Sequence, residues 1–464
     1  MKNTGDWNNR EQEIAEQKRE RARLRHKRRV RNQIISYIVV GVFLLAVGAS
    51  TYLGGLRLVG VIAEHRAAAE IAAEAEAAEQ SVIMNEASSE EPETTEEPVV
   101  IMTPESTETG EPEKTDEELL DEYVDGLIAE MPLKDKVAGM FLVTPEQLTG
   151  VDAAIKAGDG TEEALELRAV GGLVYGQKNI KSSEQIAEML QTTTNMSKYP
   201  LFLATYEPGG DAGDLTKALS LDHADAPSAL AEAGNISGSY EAGEALAKRL
   251  VTAGFNMDLA PAVNLTTESM EEKARKVSFG SEPASAAQLL AEEVRGLEEN
   301  GVHTVAGLFP TIRGTSDSNI PSTDAGMEDL EDKDFLMFQA AIGAGTDIVM
   351  VGNLAAPKLV GDNTPCVMSQ TIVTDILRGK LGFEGVVVTD AMDTAAITDY
   401  YTADQAAVAA IKAGVDMILR PEKLDEAMDG VVDAVNSGVI AEDRIDASLK
   451  RIYRIKYANV VHHS

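Results

Sequence analysis

The sequence predicts an α/β protein, a TIM-type (β/α)8 barrel, preceded by a single transmembrane helix and a disordered acidic linker. Three observations predict it. Short aliphatic, β-branched runs alternate with segments apolar at three- and four-residue spacing from Leu119 to Tyr457; residues 34–56 are uncharged and largely apolar; and the stretch between these regions is rich in Glu, Thr and Pro.

Taken in chain order, residues 1–33 form a basic segment, with nine Lys or Arg between positions 18 and 31. The apolar run 34–56 is long enough to cross a bilayer as a helix, and the positive-inside rule keeps its basic flank cytoplasmic. A cleaved signal peptide fits less well, because the basic region is long, the apolar run exceeds a signal core and no small-x-small cleavage site stands out. No cysteine follows the run, so lipid attachment there is excluded. The expectation is an uncleaved, single-pass membrane anchor with the rest of the chain extracellular.

Residues 57–115 change character twice, from the Ala/Glu-rich piece EHRAAAEIAAEAEAAEQ to an acidic Thr/Pro-rich one. The second piece has too few large apolar residues to offset chain entropy, so it reads as a solvated tether extended by its own charge. The net charge of −36 argues against a nucleic-acid partner. Cys366 is the only cysteine, which excludes internal disulfides and cysteine metal clusters.

Residues 116–460 read as the barrel. Expected strands are Gly139 to Val143, Gly172 to Tyr175, Leu201 to Thr205, Asn256 to Leu259, His303 to Phe309, Asp347 to Val351, Gly385 to Thr389 and Val415 to Leu419. Expected helices include Ser183 to Asn195, Tyr240 to Ala253, Pro283 to Asn300, Asp334 to Ala344, Ile372 to Leu381 and Ala403 to Ala413. No GxGxxG follows the first strand, which weakens a dinucleotide-binding alternative.

In such a barrel the residues just after each strand form the mouth. They are Thr144, Gly176 to Lys178, Tyr206, Glu207, Asn264, Thr311 to Asn319, Asn353, Asp390 and Arg420. Carboxylates and amides dominate, and no histidine cluster is present to hold a metal; His303 lies within a strand and reads as a core residue. Asp390 ends the run GVVVT and precedes a helical pattern, so it is either a helix cap or a site carboxylate.

Several segments together resemble glycoside hydrolase family 3, in its β-N-acetylhexosaminidase type. LKDKVAGMF at Leu133 is similar to the family's opening segment, GGLVYGQKNIKSSEQIAEMLQ at Gly171 to its second unit and NMDLAPAV at Asn256 to its fourth. The strongest likeness is LRGKLGFEGVVVTDAMDTAAI, followed by AGVDMILRP. The resemblance implies a retaining double displacement without a cofactor, on cell-wall amino sugars, and makes Asp390 the catalytic nucleophile.

The same resemblance exposes departures. Gly307 and Leu308 stand where the family has a sugar-gripping Lys and His, and Asn319 stands for the acid/base His; an amide side chain carries no titrating proton near neutral pH. Tyr206 to Gly210 replace a motif whose Asp grips sugar hydroxyls, and Val277 replaces an Arg. Tyr206, Glu207, Asp317 and Asn319 are the candidates for holding substrate. A substitute acid would be Asp317, Asp324 or Glu207, lying within about 5 to 6 Å of Asp390 if retaining chemistry survives.

Two functions therefore stay open: a membrane-anchored glycoside hydrolase, and a catalytically silent barrel that binds a wall glycan or a partner protein. The only Trp is Trp7, so stacking on a sugar would rest on Tyr175, Tyr206 or Phe309. An aldolase-like barrel lacks both a barrel lysine and a Gly-rich phosphate loop after the last strands.

Overall fold

All eight aliphatic runs form parallel strands, as expected where β-branched residues are buried on both faces of a sheet. The computed structural model describes residues 114–268, 270–311 and 320–461, with the side chains of 459–461 outside that set. The strands are β1 Phe141–Val143, β2 Gly172–Val174, β3 Phe202–Thr205, β4 Met257–Asp258, β5 His303–Phe309, β6 Ile348–Val351, β7 Val386–Thr389 and β8 Ile418–Leu419. They are hydrogen-bonded in the order β7-β6-β5-β4-β3-β2-β1-β8.

The ring closes between β7 and β8. Val388 bridges Met417 in parallel, the Thr389 N–H donates to the Met417 carbonyl at 3.0 Å, and the Met417 N–H donates to that of Val387 at 3.0 Å. β8 is shorter than the expected run from Val415, and just before it Asp416 meets β7 through both its backbone, whose N–H donates to the Val387 carbonyl at 2.8 Å, and its carboxylate. Its Oδ2 accepts the Val387 N–H at 2.9 Å. β1 likewise starts at Phe141, since the Gly139 N–H caps the preceding Leu133–Ala138 helix through the Asp135 carbonyl.

Helices wrap the ring in the expected βα alternation. The Ile236–Ala253 and Pro283–Glu298 helices pack backbone against backbone, because each presents a glycine to the other. A Cβ on Gly243 would lie 2.3 Å from the Glu293 carbonyl oxygen, and one on Gly296 would lie 2.4 Å from that of Tyr240. This approach seals the Glu293 side chain between helices and barrel. The expected helix at 372–381 is instead a wider π-type winding, Thr371–Lys380.

At the end of the barrel opposite the mouth, buried Asp416 gathers Arg378, Arg444 and Arg451 together with the Ser448 hydroxyl. Three of these four groups are presented by the last helix, Glu442–Val461. The cluster thereby ties that helix to β7 and β8. His303 lies near the same end, half-buried, its ring edge-on to Phe202, which agrees with a packing role.

The chain divides into two units, Met1–Thr109 and Gly110–Ser464. The expected membrane helix at 34–56 and most of the expected linker lie outside the described residues. Among the described residues no helix is long and apolar enough to cross a membrane.

Candidate active site at the barrel mouth

A cavity of about 970 Å³ opens at the C-terminal ends of the strands. Its floor is aliphatic: Val174, Leu259, Val305, Leu308, Met350 and Leu419. Charged groups stand around this floor, with Lys217, Lys273, Lys276 and Arg420 facing Asp211, Asp214, Glu271, Glu272 and Asp390. The segment bearing Glu271 to Lys276 forms a short helix after β4, and the Lys276 ammonium meets Asp211 from the loop after β3 at 3.3 Å.

Asp390 occupies the expected place. β7 delivers it, its own N–H donates to the Val351 carbonyl at 2.8 Å, and its Oδ1 accepts the Ala391 N–H at 2.7 Å. Burial pushes its carboxyl above the ordinary carboxylate value, opposed by the N–H groups of Ala391 and Asn353 and by the Arg420 charge. Arg420 is oriented by Asp393, whose Oδ2 accepts Nε at 3.1 Å and Nη2 at 2.8 Å. The backbone of Arg420 sits at φ 47°, an uncommon conformation for a residue with a side chain.

Tyr206 lines the mouth as expected, and burial with the nearby Asp258 and Asp214 charges pushes its hydroxyl up to about 12. It is therefore a hydrogen-bond donor rather than a proton carrier near neutral pH.

Glu207 does not join it, and this corrects the sequence expectation. Successive side chains at a strand end point to opposite sides. The Glu207 carboxylate turns outward onto the Asp214–Leu219 helix, where Oε1 accepts the N–H groups of Leu215 (2.5 Å) and Thr216 (3.0 Å) and Oε2 accepts the Thr216 hydroxyl at 2.8 Å. It is a buried helix cap, and its N–H donates to Asp258 Oδ1 at 2.8 Å.

Other mouth candidates are also spent on structure. Thr144 caps the Pro145–Thr149 helix, and Thr311 gives its N–H and hydroxyl to Asp334. Asp324 is exposed and lines neither cavity that contains Asp390. Asp317 and Asn319 lie outside the described residues. Asn264 and Arg420 line the main cavity.

Asn353 borders a second, smaller cavity of about 230 Å³ that Asp390 shares, with Leu308, Pro321, Leu354, Thr394, Ala395 and Ala396. The sequence pointed to Lys276 only as a neighbour of Val277 and did not indicate Asp211, Asp214, Lys217, Glu271 or Glu272, which come from the segments after β3 and β4 and their short helices Asp214–Leu219 and Glu272–Lys276. No strand pattern places such residues; the only signal was their charge. Among the described residues no group of His, Cys, Asp and Glu is placed to hold a metal ion.

Residues 133–455 match the model of the glycosyl hydrolase family 3 N-terminal domain. β-Hexosaminidase A of Pseudoalteromonas piscicida is 26% identical over 327 residues, covering 63% of this chain and 54% of that protein. β-Hexosaminidase LpqI of Mycobacterium bovis is 28% identical over 346 residues, covering 72% of this chain and 85% of that one. The structure of a glycoside hydrolase family 3 β-N-acetylglucosaminidase from Paenibacillus sp. superposes with a TM-score of 0.65 at 28% identity, covering 72% of this chain and 63% of that one. The chain thus spans about half the length of relatives such as β-hexosaminidase A.

Proposed function

Because this chain belongs to the glycosyl hydrolase family 3 N-terminal domain family, we propose that its barrel is a β-N-acetylhexosaminidase-type retaining glycoside hydrolase for cell-wall amino-sugar glycans. The observation that carries the reading is the position of Asp390 at the tip of β7, in the mouth and at the nucleophile's place in the family segment. In this chemistry the Asp390 carboxylate attacks the anomeric carbon while an acid protonates the departing oxygen. The glycosyl–enzyme ester is then released by water. The acid is drawn from the carboxyl groups around the mouth, Asp211, Asp214, Glu271 and Glu272, or from Asp317.

The placement we propose is the outer face of the cell membrane. Its support is the basic segment 1–33, the apolar run 34–56 and the acidic tether after it.

A second reading, a silent barrel that binds a wall glycan or partner protein without turnover, is favoured by the cavity floor. Gly307, Leu308 and Val277 line the mouth where the family resemblance places Lys, His and Arg. Each lost charge-assisted hydrogen bond removes about 1.5 to 3 kcal/mol, and the lost general acid a further hundred- to ten-thousand-fold in rate.

Incubation of the detergent-solubilised full chain with an aryl N-acetyl-β-glucosaminide, beside an Asp390→Asn variant, separates the two. Release of the aryl alcohol that disappears in the variant establishes the hydrolase. Equal blank signals with retained glycan binding establish the silent barrel.

A further inference from the structure

The turn that carries Asp390 is gripped by the tip of β6. The Val351 carbonyl, at the end of that strand, accepts the Asp390 N–H at 2.8 Å. Two residues on, the Asn353 N–H faces the Asp390 carboxylate. Between them Gly352 leaves room for the close approach: a Cβ there would lie 2.5 Å from Leu354 Cδ2.

The Asn353 side chain is buried and reaches across to the same turn. Its Nδ2 donates to the Ala391 carbonyl at 2.7 Å and to the Thr394 hydroxyl at 3.2 Å. That hydroxyl in turn donates to the Ala391 carbonyl at 3.1 Å. The Ala391 N–H donates to Asp390 Oδ1 at 2.7 Å, and the Met392 N–H donates to the Leu419 carbonyl at 2.9 Å. The N–H groups of Asp390, Ala391 and Met392 and the Ala391 carbonyl thus all have fixed partners. Apart from the Asp390 bond itself, only the carbonyl's partners are side chains, so only there can a substitution loosen the turn directly.

A reacting group misplaced by about 1 Å loses on the order of a hundredfold in rate, so the bonds that hold it matter as much as the group itself. An amide suits this place, because it donates to the carbonyl without setting a further charge beside the carboxylate. We infer that Asn353 is a positioning residue for Asp390: by holding the Ala391 carbonyl it fixes the backbone whose N–H holds the Asp390 carboxylate. The inference rests on Asp390 being the nucleophile of the proposed hydrolase.

The charged groups that act on Asp390 are Arg420 and Asp393, which pair with each other and not with Asn353. They and every other charge of the mouth are common to the variants below, so differences among the variants report the clamp. Asp393 also serves as an internal reference, being held by Arg420 from three residues along the same turn.

The test is carbodiimide labelling of the detergent-solubilised full chain across the acid-to-neutral pH range, with labelled carboxyls located by peptide mass spectrometry. Carbodiimide takes the protonated carboxyl, so loss of an N–H held on the carboxylate shows as more labelling at neutral pH. Asn353→Leu should raise Asp390 labelling there by roughly threefold or more and leave Asp393 labelling as it is. Thr394→Val removes the longer of the two bonds to the carbonyl and should shift Asp390 in the same direction by less. With an aryl N-acetyl-β-glucosaminide, Asn353→Leu should lower kcat by at least about tenfold with KM little changed.

An Asp390 labelling profile unchanged in both variants overturns the inference, as does a loss of activity confined to KM. Equal increases at Asp390 and Asp393 overturn it too, since they would report general loosening of the mouth. If the unaltered chain releases no aryl alcohol, the hydrolase reading fails, and the labelling profiles still decide whether Asn353 holds the carboxylate.

Discussion

Gly307 and Met350 lie against one another across β5 and β6 at the floor of the mouth: a Cβ built on Gly307 would be 2.9 Å from Met350 Cβ. Methionine thus fills the space beside the position that the family resemblance gives to lysine. Gly307→Ala should destabilise the barrel by about 1–3 kcal/mol through overpacking. Adding Met350→Ala should not rescue it, because the clash is with the Cβ that alanine keeps. Urea unfolding of the two variants checks both statements, and a stable Gly307→Ala protein would remove this explanation for the missing lysine.

The alternation of strands and helices was legible because each element carries its own period: the aliphatic runs around Val349 and Val387 are too short for helices, and segments such as Ala403 to Ala413 repeat at three and four. Asp390 was legible for a related reason, since a carboxylate directly after a buried strand must lie at a barrel's end. Glu207 was misread because Tyr206 and Glu207 follow the same strand, and the sequence does not show which of two neighbours turns inward. The aliphatic floor was hidden as well. Val305 and Met350 look like ordinary strand residues, and only the pairing of β5 and β6 beside β7 brings them to the cavity that Asp390 lines.

Asp416 is the next test of what holds the ring. It is fully buried and engages Arg378, Arg444 and Arg451 while its carboxylate accepts the Val387 N–H. Asp416→Ala leaves three guanidinium groups around a buried site without their counter-charge, and the expected loss is about 3–5 kcal/mol. Asp416→Asn keeps an acceptor for the Val387 N–H and should lose less. Thermal unfolding of both variants decides the order; equal losses would mean that charge contributes little here.

Glu293 predicts a pH dependence. Burial pushes its carboxyl up to about 8, with the neighbouring Asp258 charge adding to the shift. Asp258, fully buried, is itself pushed well above the carboxylate range by burial. The folded protein therefore keeps the Glu293 proton where the unfolded chain releases it, so this stability is fully present below the ordinary glutamate value near pH 4.5 and is lost as pH rises toward about 8. The slope is at most about 1.4 kcal/mol per pH unit from one such group. Glu293→Gln should flatten the decline between pH 5 and pH 8 (about the window set by those values) in denaturant titrations. An unchanged slope would exclude Glu293 as its source.

Arg420 separates backbone strain from charge at the mouth. Its φ of 47° suits glycine, while its side chain is held by Asp393. Arg420→Gly and Arg420→Ala both remove the ion pair, a partly exposed contact of small net value, but only glycine accepts the left-handed backbone freely. The glycine variant should therefore be more stable than the alanine variant by about 1 kcal/mol, despite glycine's larger entropy loss on folding. Both should weaken any anionic ligand of the mouth equally, since neither retains the guanidinium. Paired urea titrations measure the first difference. If alanine matches glycine in stability, the left-handed backbone at Arg420 carries no strain, and its conformation is then a consequence of the β8 turn rather than of holding a cation beside Asp390.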